Sequence, residues 1–144
     1  MGLAIEEAEK GYLLAEVPVG AVVVGADGQI LSRAHNKPIT SNDPTAHAEI
    51  LAIRSASTRV GNYRLPETVV YVTLEPCAMC VGAMLHARVQ RLVFGARDPR
   101  SGAAGSLLDL ASVGCFNHRI DVTGGILAEN CAEILYRFFK GRRG

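Results

Sequence analysis

The chain has 144 residues, about one domain's worth, and 49% are hydrophobic against 20% charged, a globular composition that excludes a disordered or collagen-like chain. The formal net charge of +1 gives no reason in itself to expect a nucleic-acid partner. No apolar run approaches the ~20 residues of a membrane helix, and Glu6, Glu7 and Glu9 stand where a secretion signal would be basic and then apolar, so a soluble, cytoplasmic chain is expected.

In chain order, residues 3–15 place Leu3, Ala4, Ala8, Tyr12 and Ala15 at the spacing of one helical face. Pro18 stops that helix, and residues 19–24 form a β-branched run of buried-strand type. The turn residues Gly25 to Gly28 then return the chain as a paired strand over 29–33. A polar loop over 35–42 leads to Asp43-Pro44, which reads as a helix cap followed by proline in the first helical position, with the helix running to about Ser57. Residues 69–74 make a strong strand, after which Pro76 opens a helix that ends near His86. A short strand over 92–95, a glycine-rich loop over 98–105, a weaker strand over 120–123 and a terminal helix over 126–140 complete the order. The last helix carries Leu127, Cys131, Ile134, Leu135 and Phe138 on one side. Alternating strands and helices without internal repeats predict one α/β domain over residues 1–144, a mixed sheet covered by helices on both faces.

Four cysteines without a secretion signal are better read as metal or redox groups than as disulfides. Cys77 and Cys80 are three apart at a helix start, so they share a face where the helix end favours thiolates. With one imidazole they make three sides of a zinc tetrahedron. No second C-x-x-C or H-x-x-x-H provides a fourth side, and Cys115 and Cys131 are sixteen positions apart. An open fourth position is what a catalytic zinc keeps for water. A structural zinc module instead needs a fourth ligand, with Cys115 as its candidate, and a thioredoxin-like protein has no use for the upstream His47-Ala48-Glu49.

His47-Ala48-Glu49 followed by Pro76-Cys77-Ala78-Met79-Cys80 matches H-x-E…P-C-x-x-C, the signature of zinc-dependent nucleobase deaminases. Further stretches extend the match: residues 16–21, 43–49, 71–80, 94–98, 102–106 and 117–119, then Phe138-Phe139 with basic residues after them. On these the chain resembles the bacterial tRNA-specific adenosine deaminases of the cytidine-deaminase superfamily. The resemblance implies a three-layer α/β/α fold on a five-stranded mixed sheet, a homodimer, one zinc ion per subunit, and conversion of adenosine to inosine at the wobble position of a tRNA anticodon stem-loop. It implies that His47, Cys77 and Cys80 hold zinc, that Glu49 shuttles protons to N1 and to the leaving amine, and that Asn36 hydrogen-bonds the flipped base. It puts the Ala48 and Cys77 N–H groups, Pro76, Asp98 and Asn117 with the neighbouring His118 at the substrate, and makes Arg97, Arg137, Lys140, Arg142 and Arg143 candidate RNA contacts. Without the resemblance, those terminal cations read as a solvated helix end that suits the helix dipole. A deaminase of a free nucleobase or nucleoside, such as cytosine or guanine, shares the same zinc residues and is the competing reading.

Overall fold

The computed structural model describes residues 1–113 and 117–143. Its elements are α1 (Gly2–Leu13), β1 (Gly20–Val24), β2 (Ile30–His35), α2 (Pro38–Ser41), α3 (Ala48–Val60), β3 (Val69–Leu74), α4 (Ala78–Ala87), β4 (Arg91–Ala96), β5 (Asp121–Thr123) and α5 (Ala128–Arg143). The β-branched runs form strands because both of their faces are covered: β1 is buried along nearly its whole length.

The five strands lie in the order β2-β1-β3-β4-β5. β1 is antiparallel to β2 and β3, whereas β4 is parallel to β3 and β5. On one face α3 and α4 pack over the sheet, and Ala52, Ile53, Val81 and Met84 share a core with Ala21, Val23, Val70, Val72 and Leu92. On the other face α1 lies against β1 and α5 against β4. Here Ala4 and Ala8 meet the sheet, and Cys131, Ile134 and Phe138 form the buried side of α5. Gly20 makes the close seating of α1 possible, since a Cβ there would stand 1.9 Å from the Ala4 carbonyl oxygen. This is the α/β/α layering on a five-stranded mixed sheet that the resemblance implies.

The parallel pairing of β3 with β4 brings Leu74 beside Ala96, so the loops after both strands leave one end of the sheet together. Antiparallel β1 starts at that same end, held by the Gly20 N–H to Thr73 Oγ1 bond at 3.1 Å, and β2 ends there at His35.

Four local expectations need correction. Pro76 does not open the helix after β3: Cys77 is the extended cap residue and α4 begins at Ala78. Asp43-Pro44 does not open α3: Asp43 Oδ1 instead accepts the Thr45 N–H at 2.9 Å and the Thr45 hydroxyl at 2.7 Å, closing a turn that precedes the helix. The helix begins at Ala48, with His47 as its extended cap residue. Within the expected polar loop, residues 38–41 form the short α2. Leu127 precedes α5 with φ of 53° and is 48% exposed, so it does not join the buried side of that helix.

Candidate metal centre and substrate cavity

Cys77 caps α4 as His47 caps α3, both with extended backbone, and the two helix starts face each other. His47 Nδ1 lies 3.6 Å from Cys77 Sγ and 3.4 Å from Cys80 Sγ. Bonds of 2.3 Å to sulfur and 2.0–2.1 Å to nitrogen at a tetrahedral angle set sulfur and nitrogen about 3.5 Å apart, so these residues fit zinc without rearrangement. Their ligand atoms all lie within 4.8 Å of one another, and no other cluster of three candidate ligands occurs among the described residues. Cys115 lies outside the described residues.

The three groups tune one another's protonation. The hydrogen bond to Cys77 raises the His47 imidazole, against burial, and the Glu49 charge adds to the effect. Bonds from Cys80 and His47 lower Cys77 despite its burial, while Cys80 is pushed up by its bond to Cys77 and by deeper burial. Cys77 is therefore the readier thiolate of the pair, and a cation bound between them would favour ionising both.

Beside this trio is a cavity of about 240 Å³. Val17, Val19 and Leu74 give it apolar walls; Asn36, His47, Glu49, Glu75, Cys77, Asp98 and Ser101 supply its polar groups. On an ideal helix His47 and Glu49 would point about 200° apart. Because His47 is the extended cap residue rather than part of the helix, both side chains line the same cavity. Glu49 is 4% exposed, and burial raises its carboxyl above the usual value, with bonding and the His47 charge opposing.

Asn36 follows β2, and its Oδ1 accepts the Ala48 N–H at 2.8 Å. The expectation that this N–H faces a ligand is therefore not met, because Asn36 occupies it. Pro76 is buried, its carbonyl accepting the Ala103 N–H at 2.8 Å, and it does not line the cavity. Asp98 does line it, with Oδ1 accepting the Arg100 and Ser101 N–H groups at 3.1 and 3.2 Å. Asn117 does not reach the cavity: it is exposed, and adjacent His118 bonds through Nε2 to the Val89 carbonyl at 2.7 Å, just before β4 begins, at the far end of the sheet.

The candidate RNA contacts separate into two groups. Arg97 and Lys140 line a groove of about 370 Å³ beside α5, together with Tyr136, Phe139 and Leu74, and Leu74 also lines the cavity beside His47. Arg137 instead pairs with Glu9 at 2.7 Å and lies over the Tyr12 ring, while Arg142 bonds to the Ala15 carbonyl at 2.8 Å and lies over Phe138. These two tie α5 to α1 and its exit. Arg143 ends α5, and its side chain lies outside the described residues. A hollow of about 380 Å³ between the β1–β2 turn and the end of α3 is larger, but it contains no metal-ligating cluster.

Two buried carboxylates complete the surroundings. Glu16 is 1% exposed and accepts from the Ile39 N–H, the Thr40 N–H and the Thr40 hydroxyl, fixing the loop beyond Asn36. Glu75, 2% exposed, does the same for the loop after β4. Sequence reasoning gave neither a role, although an acidic residue against Val17-Pro18 or closing the apolar run of β3 is a signal of a buried, hydrogen-bonded carboxylate.

Residues 1–96 match the cytidine and deoxycytidylate deaminase zinc-binding region. A tRNA-specific adenosine deaminase of Haemophilus influenzae is 48% identical over 143 residues, 99% of this chain and 83% of its own. One from Bacillus subtilis is 46% identical over 97% of this chain and 86% of its own. A solved structure from work on A-to-I editing by tRNA:A34 deaminases at the wobble position of transfer RNA superposes with a TM-score of 0.90 at 45% identity, covering 94% of this chain and 97% of that one. With the paired helix starts and their His-Cys-Cys cluster, this likeness along nearly the full length means that the chain belongs to the cytidine and deoxycytidylate deaminase family, in its branch of tRNA-specific adenosine deaminases.

Proposed function

We propose that this chain hydrolytically deaminates adenosine to inosine at the wobble position of a tRNA anticodon loop, with one zinc ion held by His47, Cys77 and Cys80. The observation that carries the reading is the His47–Cys77–Cys80 spacing of 3.4–3.6 Å beside a cavity that Glu49 also lines. When bound, zinc supplies a water made acidic enough to react at neutral pH.

The chain's own groups do the rest. Glu49 takes a proton from the water, whose oxygen bonds to C6, and delivers that proton to N1 of the base; as the C6 hydroxyl becomes a carbonyl, Glu49 takes its remaining proton and hands it to the amine, which leaves C6 as ammonia. Overall, adenosine and water give inosine and ammonia. A carboxyl raised by burial suits both halves of that transfer, because it holds a proton long enough to return it. Asn36, whose Oδ1 is engaged by Ala48, keeps its amide nitrogen for an acceptor on the base. Val17, Val19 and Leu74 cover the ring faces of a base turned out of its stack, which an unpaired anticodon loop allows at small cost. Arg97 and Lys140 continue that path as phosphate contacts along α5.

The reading includes a homodimer, supported by the exposed apolar side chains of Met79, Leu107 and Leu108 and tested by sedimentation equilibrium. It also includes a cytoplasmic setting; no helix among the described residues is long and apolar enough to cross a membrane. The direct test incubates the zinc-loaded protein with an anticodon stem-loop and, separately, with free guanine, cytosine and nucleosides. Inosine in the RNA is expected. Ammonia from a free base without inosine in the RNA would overturn the assignment in favour of a nucleobase deaminase.

A further inference from the structure

We infer that Glu75 is a positioning residue, whose buried carboxylate builds the 98–106 loop onto the cavity and thereby governs substrate binding rather than the chemical step. The inference rests on the deaminase reading for its substrate.

Glu75 follows β3 directly and stays in register with β4, since its N–H donates to the Ala96 carbonyl at 2.8 Å. Its side chain turns toward the loop that leaves β4. Oε1 accepts the Asp98 N–H at 3.1 Å and the Ser106 hydroxyl; Oε2 accepts the Ala104 N–H at 3.1 Å and the Ser106 N–H at 3.0 Å. A carboxylate has about four acceptor positions, so the loop uses them all and leaves none for a ligand. Although Glu75 borders the cavity, it acts through what it holds.

The loop is shaped to this carboxylate. A Cβ at Gly102 would stand 2.4 Å from the Glu75 carboxyl carbon and 2.5 Å from the Asp98 carbonyl oxygen, so only glycine lets the backbone lie against it. Two backbone bonds tighten the fold around that contact, from the Gly102 N–H to the Asp98 carbonyl and from the Ala103 N–H to the Pro76 carbonyl, each 2.8 Å. The outcome is that Asp98 and Ser101 line the same cavity as Asn36 and Glu49 without belonging to any strand or helix. Removing the acceptor leaves three N–H groups and a hydroxyl to find new partners, and the wall moves with them.

The test compares E75Q, G102A and S106A as zinc-loaded proteins. Gln keeps the size of Glu but turns an NH₂ toward N–H donors; G102A displaces the carboxylate from the loop side; S106A removes a single donor. Expected are a rise in KM for the anticodon stem-loop of about tenfold or more in E75Q and G102A, and about threefold in S106A, with kcat within about threefold throughout. Zinc per chain stays unchanged, and amide exchange quickens over 98–106 but not in α4. A fall in kcat at constant KM, loss of zinc, or unaltered exchange over 98–106 would overturn the assignment. Should E75Q fail to fold, S106A decides: wild-type KM and exchange in that variant overturn it. If the wild-type protein makes no inosine, the substrate reading fails on its own, and loop exchange still decides what Glu75 holds.

Discussion

Asn36 Oδ1 accepts the N–H of Ala48 at 2.8 Å, joining the end of β2 to the first turn of α3, which His47 caps and which carries Glu49. Both partners are buried, so the bond is part of the structure that orients the helix start capped by His47 as well as a way of aiming Asn36.

Those two roles separate by substitution. Asn36→Ala leaves a buried N–H without its partner and costs about 1–3 kcal/mol of stability, read by urea unfolding. Asn36→Asp keeps an acceptor for Ala48, so stability changes little, but it replaces the amide donor offered to the base. Deamination of the stem-loop falls by at least about tenfold, since a site arranged for one hydrogen bond rejects its loss strongly.

Glu49→Ala is expected to keep zinc while losing about 100- to 10,000-fold in turnover, the usual contribution of a positioned acid–base group. Cys80→Ser loses both metal and turnover. Metal analysis paired with an inosine assay checks the two variants together, and equal zinc loss in both would contradict the division of roles.

Glu16 predicts an acid-sensitive part of the stability. Burial opposes its charge, but the Thr40 hydroxyl and the Thr40 and Ile39 N–H groups, aided by the His35 charge, bring its carboxyl below the ordinary glutamate value of about 4.5. A carboxyl lower in the folded than in the unfolded chain stabilises the fold above about 4.5 and loses that contribution as pH falls toward the folded value. Urea unfolding of Glu16→Gln should therefore show a weaker dependence on pH below 4.5 than the wild type shows, and identical slopes would contradict it.

The cations on and beside α5 divide in the same testable way. Arg97→Ala and Lys140→Ala should weaken stem-loop binding and each lower the slope of log K against log salt by a little under one unit. Arg137→Ala costs the Glu9 pair and the Tyr12 stacking, about 0.5–1 kcal/mol at this half-exposed position, and leaves the salt slope unchanged. Binding measured at several salt concentrations distinguishes them.

These cases show which parts of the molecule are legible in sequence. The strands β1, β3 and β4 are apolar runs whose character is local, and the C-x-x-C spacing marks Cys77 and Cys80 as partners even though Cys77 is the extended cap of α4 and only Cys80 lies within the helix. The start of α3 misleads because Asp43 and Pro44 suit a turn as well as a cap; only the Asp43–Thr45 bonds decide. The short α2 escapes notice because Glu16, more than twenty positions earlier, supplies acceptors for its first N–H groups. Arg137 reads as a free helix-end cation because its partner, Glu9, is 128 positions away. Glu75 is silent for the same reason, its donors lying 23 to 31 positions further along the chain.

The zinc K-edge absorption of the reconstituted protein tests the central claim most directly. A site made by His47, Cys77 and Cys80 with one position open to solvent predicts two sulfurs at about 2.3 Å, one imidazole nitrogen at about 2.0 Å and one further light atom that is not imidazole. A third sulfur or a second imidazole in the shell would close the site and contradict a hydrolytic role.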